Sequence, residues 1–438
     1  MHMQVSEIAD AVGGQMVGPA ITVDGAAIDS RALSPGQLFV PIVAERNGHD
    51  YIESAVAAGA TAYLTSEPPR AGVDATAVTC DDTAAALASV GRLVRRTLPE
   101  RVVGVTGSVG KTSTKDLLAG LLATTFVTAA SEKSFNNELG LPLTLANAPD
   151  DTEAVVAEMG ARGIGHIAYL CSIAQPTVGI VTRVEGVHLE LFGNIEAVAR
   201  AKGELVESLP ADGLAVLNAD HKSVIAMAAR TSAKVLSYGM TPSADVSATD
   251  IRVDAQLRAS FRLHTPWGST DVHLGARGEH QVSNALAAAA AAGGLGVPVE
   301  AMADGLAGAA LSGLRMELIT TDSGLVVLND SYNANPTSMS AALRSLAALD
   351  ARRRFAVLGT MAELGDDSAG EHEAIALEAQ SLGVEVIAVD EPLYGTTAQH
   401  VSGIDAAVAA LDGVGDGDAV LVKGSRVAAL ERVADALS

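Results

Sequence analysis

The chain has 438 residues, 48% of them hydrophobic but only 3% aromatic, and a formal net charge of −23. That length provides for two or three domains with aliphatic cores. The charge argues against a nucleic-acid partner, whose phosphates demand a basic face. Two cysteines, Cys80 and Cys171, lie far apart without metal-ligand spacing, as expected of small buried thiols in a reducing compartment. The N-terminal MHMQVSEIADAVGG has no basic stretch leading into an apolar one. The longest uncharged apolar stretch, Ala285 to Val299, is too short and too rich in Ala and Gly to span a bilayer. A cytoplasmic protein is expected.

Residues 1–98 read as a first unit. It has a helix over Val5–Val12, strands near Ile21–Val23, Leu38–Val40 and Ala60–Leu64, and helices over Ile52–Ala58 and Thr83–Thr97. Two polar clusters stand out, Asp29-Ser30-Arg31 and Arg46-Asn47-Gly48-His49-Asp50. Taken alone, each reads as a polar turn.

Residues 99–313 form a second unit that opens on VVGVTGSVGKTSTKDLL, Val102 to Leu118. An apolar strand, a Gly-rich turn, Lys-Thr and a helix follow in the order of a phosphate-binding loop. The glycines let successive N–H groups converge on one anion, and the helix N-terminus adds its partial positive charge. Thr106, Gly107, Ser108, Val109, Gly110, Lys111, Thr112 and Ser113 are therefore the candidate nucleotide contacts. Lys111 would reach the outer phosphates and the Thr112 hydroxyl would sit on Mg²⁺. Strands at Ala154–Val156, Val178–Val181 and Leu214–Leu217 alternate with helices, which implies a parallel sheet. The charged, alternating stretch 245–274 reads as antiparallel strands. Glu158 follows a strand beside the loop, where a carboxylate holds Mg²⁺. His188, Glu190 and Lys202 lie further on, and spacing alone assigns them nothing beyond surface or packing roles.

Residues 314–438 form a third, doubly wound unit. Its strands fall near Leu325–Leu328, Phe355–Leu358, Val386–Val389 and Ala419–Val422, with Gly359 and Gly424 at strand ends where such sheets place ligand loops. Two Asn-rich motifs, Asn136-Asn137-Glu138 and Asn329-Asp330-Ser331-Tyr332-Asn333-Ala334-Asn335-Pro336, hold more amides than turns alone require.

The combination GVTGSVGKTSTKDLL, SFNNELGLPLTL, EMGARG, HLELFGN…AKGE, NDSYNANPTSM and GTMAELG…EH resembles the Mur ligases through all three units. FNNELGLPLTL and DSYNANP resemble the members that add D-alanyl-D-alanine. The resemblance implies an α/β protein of three domains: an N-terminal UDP-substrate domain (1–98), a central ATPase domain with a mostly parallel sheet plus a small antiparallel one (99–313), and a C-terminal Rossmann-like domain (314–438). It implies an ATP-dependent ligase that joins D-Ala-D-Ala to UDP-MurNAc-tripeptide in peptidoglycan synthesis, expected to act as a monomer.

The same resemblance distributes roles. Ser30, Arg31, Asn47, Gly48 and His49 would serve the UDP end of the substrate. Asn136, Asn137, Glu138 and Asn335 would lie near the reacting ends. Asn284 would meet adenine, Asp330 the ribose, Arg315 the ATP phosphates, and Asn333 the nucleotide. Thr112 and Glu158 would bind one Mg²⁺ and His188 a second, with Lys202 carried as a CO₂-derived carbamate that bridges towards the metal. Lys111, Glu158, His188 and Lys202 are the expected catalytic set. The chain departs from the family pattern at Asn47, Val109, His166, Arg183 and Gln281. Two other readings stay open: a sibling ligase that adds a single amino acid, and a nucleotide-binding regulator without ligase activity.

Overall fold

The computed structural model describes residues 1–132, 135–186 and 189–438. His188 therefore lies outside the described residues. Three α/β layers follow one another along the chain. The first carries a five-stranded sheet in the order Met16–Val17, Thr76–Thr79, Ala62–Thr65, Leu38–Phe39, Ala26–Ala27, parallel except for its first member. The helix Thr83–Arg95 packs against this sheet and also against the central layer.

The central sheet has six parallel strands in the order Lys234–Tyr238, Leu214–Asn218, Val178–Val181, Val102–Thr106, Ala154–Glu158, Thr128–Ala130. Val102–Thr106 is wholly buried, as a central parallel strand covered on both faces must be. The phosphate-loop helix Lys111–Ala123 buries Leu117, Leu118, Leu121 and Leu122. It lies against the helix Gln281–Gly294, whose run Ala285–Ala292 is buried throughout. Small side chains let the two helices approach closely without aromatic filler. Stretch 245–274 forms the expected antiparallel sheet, Ser247–Val253, Arg258–Thr265 and Gly268–Arg277, and it packs on the helix Val299–Gly308.

The C-terminal sheet runs Glu317–Thr320, Val326–Asn329, Asp418–Lys423, Arg353–Leu358, Glu385–Val389, Gln399–Val401, with only the first strand antiparallel. Two registers matter for function. Glu158 is paired with Val105 in adjacent strands of the central sheet. Asn329 and Leu358 flank Val422 and Lys423 in the C-terminal one. The carboxyl ends of the two sheets, where open α/β sheets bind ligands, thus face one cleft.

Cys171 is buried and Cys80 only partly so; both are free. Burial pushes their thiols up to about 12 and about 11. Short edge strands such as Thr128–Ala130 and Gln399–Val401 have too few residues to show a period, and periodicity did not flag them.

Candidate active site

The cleft between the central and C-terminal layers has a volume of about 770 Å³. Its floor is the phosphate loop. Gly107 (φ 148°) needs its lack of a side chain, because a Cβ there would lie 1.8 Å from Thr182 Oγ1. Gly110 (φ 86°) lies against Asn284 in the same way. The loop is laced to the next strand end: Ser108 N–H donates to the Arg183 carbonyl (2.7 Å), and Thr182 Oγ1 donates to the Val109 carbonyl (2.6 Å). Thr106 is buried below the cleft and donates to the Met159 carbonyl (2.8 Å), so it supports the loop from beneath. Lys111 folds back onto the Gly107 carbonyl at 2.9 Å. Burial lowers its pKa, Glu158 opposes that, and Arg315 adds to the lowering.

Glu158 is 1% exposed. One carboxylate oxygen accepts from Asn136 Nδ2 (2.8 Å), and the other, Oε2, is buried and has no partner among the described residues. A buried carboxylate oxygen left unpaired costs free energy unless a cation or donor meets it. Lys202 is 2% exposed, and among the described residues its ammonium has no hydrogen-bond or ion-pair partner. Burial, with Lys111 nearby, holds its pKa well below the usual lysine range, which favours the neutral amine.

The C-terminal layer supplies the roof. Arg315 reaches across the domain boundary and donates Nη2 to Thr112 Oγ1 at 3.0 Å. Asp330 is gripped by Lys423, whose buried Nζ lies 2.5 Å from its carboxylate and 2.8 Å from the Asn333 carbonyl. Its other oxygen accepts from Met316 N–H. His280 lines the same wall, and burial depresses its pKa to about 4. Sequence reading passed over Lys423 and His280. The one available signal was their position, Lys423 at a strand end before Gly424 and His280 just ahead of a helix.

The two Asn-rich motifs each divide in two. Asn136 serves Glu158, whereas Asn137 Oδ1 accepts from the Leu139 and Gly140 N–H groups at 3.2 and 2.8 Å. Asn335 is the N-cap of the helix Pro336–Ala348, in a capping box with Ser338 and with Pro336 in its first turn. Asn137, Glu138, Asn333 and Asn335 all line the cleft, although the side chain of Asn335 is already engaged as a cap and that of Asn137 in the turn before the next helix. Asn284 and Ser113 line it as well. Gln281, one of the departures, bridges these two: its amide nitrogen donates to Ser113 Oγ (3.4 Å) and its oxygen accepts from Asn284 (2.7 Å).

The N-terminal candidates do not line this cleft. Arg31 forms a two-pronged pair with Asp29 at 2.9 and 2.7 Å, which holds the Asp29 carboxyl at about 2. Ser30 lies between them. Gly48 packs against Ile42, leaving no space for a Cβ. His49 is 1% exposed. Its Nε2 accepts from Ser66 N–H (3.1 Å), so Nδ1 carries the proton and donates to Asn47 Oδ1 (2.8 Å). Asn47 in turn donates to Glu67 (2.8 Å). An Asp at position 47 would oppose that carboxylate with like charge, which accounts for the amide here.

Residues 22–100, 105–292 and 314–426 match the Mur ligase family catalytic domain, the Mur ligase middle domain and the Mur ligase glutamate ligase domain, respectively. The UDP-N-acetylmuramoyl-tripeptide–D-alanyl-D-alanine ligase of Mycobacterium tuberculosis (strain H37Rv) is 39% identical, covering 100% of this chain and 98% of that protein. Its counterpart in Escherichia coli K12 is 35% identical, with the same shares covered. Among solved structures, MurF from Acinetobacter baumannii superposes with a TM-score of 0.89 at 29% identity, covering 100% of this chain and 99% of that one. MurF ligase from Thermotoga maritima, in complex with ADP, superposes with a TM-score of 0.82 at 27% identity, covering 94% and 96%.

Two predictions follow from this geometry. Asn335→Ala should cost about 1 kcal/mol in denaturant unfolding through loss of the cap, and Asn335→Asp should restore most of it. His280 has a folded pKa of about 4 against 6.5 when unfolded, so between those values the unfolded chain binds more protons. Stability should fall as pH drops from about 6.5 to 4, and His280→Gln should remove that part of the slope in thermal unfolding.

Proposed function

The chain belongs to the Mur ligase family and joins D-alanyl-D-alanine to UDP-N-acetylmuramoyl-tripeptide in an ATP-dependent reaction of peptidoglycan synthesis; we propose that the cleft just described carries it out. Glu158 supports this most strongly, as a buried carboxylate beside a phosphate loop with one oxygen unpaired among the described residues.

The tripeptide carboxylate is a poor electrophile, so it first takes the γ-phosphoryl group of ATP. The amine of D-Ala-D-Ala then attacks the acyl phosphate and expels phosphate. Two anions must meet in the first step, and positive charge must compensate them. The loop amides and Lys111 cradle the phosphates, and Arg315 closes on them from the C-terminal domain. Asp330, oriented by Lys423, takes the ribose hydroxyls, and Asn284 and Asn333 take the rest of the nucleotide. Asn136 and Glu138 face the reacting ends. Closing the two sheet ends over the cleft excludes water, which would hydrolyse the acyl phosphate.

The donors fit a hard cation: Glu158 Oε2 and the Thr112 hydroxyl would be oxygen ligands. Mg²⁺ held by these two would supply charge neutralisation at the γ-phosphate. A second ion would fall to His188, outside the described residues, and to Lys202. Lys202 suits carbamylation, because a neutral buried amine is the form that attacks CO₂, and the product is an anion beside Lys111.

We place the domain boundaries near residues 98 and 313. The N-terminal domain, with Ser30, Arg31, Asn47, Gly48 and His49, would take the UDP end. Asn47 and His49 would act there chiefly by shaping the turn. A monomer is the proposed working unit. Among the described residues no helix is long and apolar enough to cross a membrane. The cytoplasm, where ATP is available, is the proposed location.

Glu158→Gln should leave nucleotide binding without Mg²⁺ intact and abolish the gain in affinity that Mg²⁺ gives, measured by titration calorimetry; an unchanged Mg²⁺ effect would remove Glu158 from the metal site. With ¹³C-labelled bicarbonate, the enzyme should show a carbamate carbon resonance that Lys202→Ala lacks, and that variant should lose amide formation by 100-fold or more (roughly 3 kcal/mol) while still binding ATP. A resonance that persists in the variant would assign the carbamate elsewhere.

A further inference from the structure

We propose that Tyr332 is a positioning residue for this reaction: its ring holds the Arg315 guanidinium in register with the phosphate loop. The Arg315 Cζ lies 4.3 Å from the Tyr332 ring centroid, well inside cation–π range. A guanidinium has five N–H donors, yet among the described residues Arg315 makes one side-chain hydrogen bond, to Thr112 Oγ1, and its Nε is buried without an acceptor. Hydrogen bonds therefore do little to fix its plane. The aromatic face beneath it is the principal restraint.

The backbone around the pair is arranged to the same end. Leu314 (φ 61°) and Met316 (φ 51°) both adopt the left-handed conformation, which is strained for residues with a Cβ. This double reversal puts Arg315 at the apex of the segment joining the two domains. Ser312 N–H donates to Asp116 Oδ2 at 2.8 Å, which ties the start of the segment to the phosphate-loop helix one turn below Thr112. Tyr332 N–H donates to the Leu314 carbonyl (3.2 Å), and Met316 N–H donates to Asp330 (3.1 Å). The ring is thus delivered to Arg315 by the same segment that presents Asp330 to the ribose. When the C-terminal domain is seated, cation and ribose acceptor arrive together.

This inference rests on the reading that Arg315 meets the ATP phosphates, and the experiment separates the two. The dissociation constant of a non-hydrolysable ATP analogue with Mg²⁺, together with kcat and KM for ATP, would be measured for Arg315→Ala, Tyr332→Phe, Tyr332→Leu, Tyr332→Met and the double variant Tyr332→Leu/Arg315→Ala. Thermal unfolding checks that each is folded, and Met stands in if Leu does not fold. We expect Arg315→Ala to weaken binding about tenfold or more. The ringless variants should weaken it roughly threefold to tenfold, and Tyr332→Phe, which keeps the ring, less than about twofold. The double variant should bind no more weakly than Arg315→Ala alone, because Tyr332 acts through Arg315. An unchanged Arg315→Ala would overturn the phosphate reading and this inference with it. A weakened Arg315→Ala beside unaffected ringless variants, losses that multiply in the double variant, or a Phe variant as weak as Leu would each overturn the role of Tyr332 alone.

Discussion

Like charges brought together in a dry place are the constraint on which this cleft is built. Lys111 bears on the buried Lys202, whose amine is held towards its neutral form, Arg315 adds a second cation beside Lys111, and among the described residues Glu158 keeps one oxygen unpaired. Such a set is unfavourable without ligands, because burial penalises charge and, among the described residues, the compensation is partial. In the proposed reaction, a triphosphate, a carboxylate and a divalent ion would make it favourable. The protein's net acidity does not conflict with an anionic substrate, since the relevant charges are local and sequestered.

That arrangement needs two rigid supports. The central sheet gives Glu158 and the phosphate loop from adjacent strands, with the leucines of the loop helix and the alanines of its neighbour fixing the helix beneath. The C-terminal sheet gives Asp330 and Lys423 from adjacent strands of its own. Between them runs a segment of five residues, 312–316, fastened to the first support by Asp116 and to the second by Asp330. That segment therefore joins the two supports through hydrogen bonds at both of its ends.

Much of this was legible in the sequence where the chemistry is local. The phosphate loop is contiguous, so its strand, glycines, Lys111 and Thr112 announce themselves in order. Glu158 was legible as a carboxylate at a strand end beside such a loop, and it lines the cleft. What sequence could not separate was ligand from cap. Asn136 and Asn137 are neighbours, yet one faces Glu158 and the other holds a helix start. Asn335 carried a readable cap signal, with Pro336 next and Ser338 three on, that its motif obscured. Lys423 was missed because its meaning depends on a partner 93 residues away. His49 drew a substrate role only from the resemblance, and its burial and its bond from Ser66 are tertiary facts.

The most direct test of the central claim is phosphate release from ATP and Mg²⁺ with each acceptor pair in turn. UDP-MurNAc-tripeptide would be supplied in its diaminopimelate and lysine forms, with D-Ala-D-Ala or single amino acids. Release that requires tripeptide and dipeptide together, with a UDP-MurNAc-pentapeptide identified by mass, is the predicted result. Release with a single amino acid in place of the dipeptide, or with neither acceptor, would contradict it.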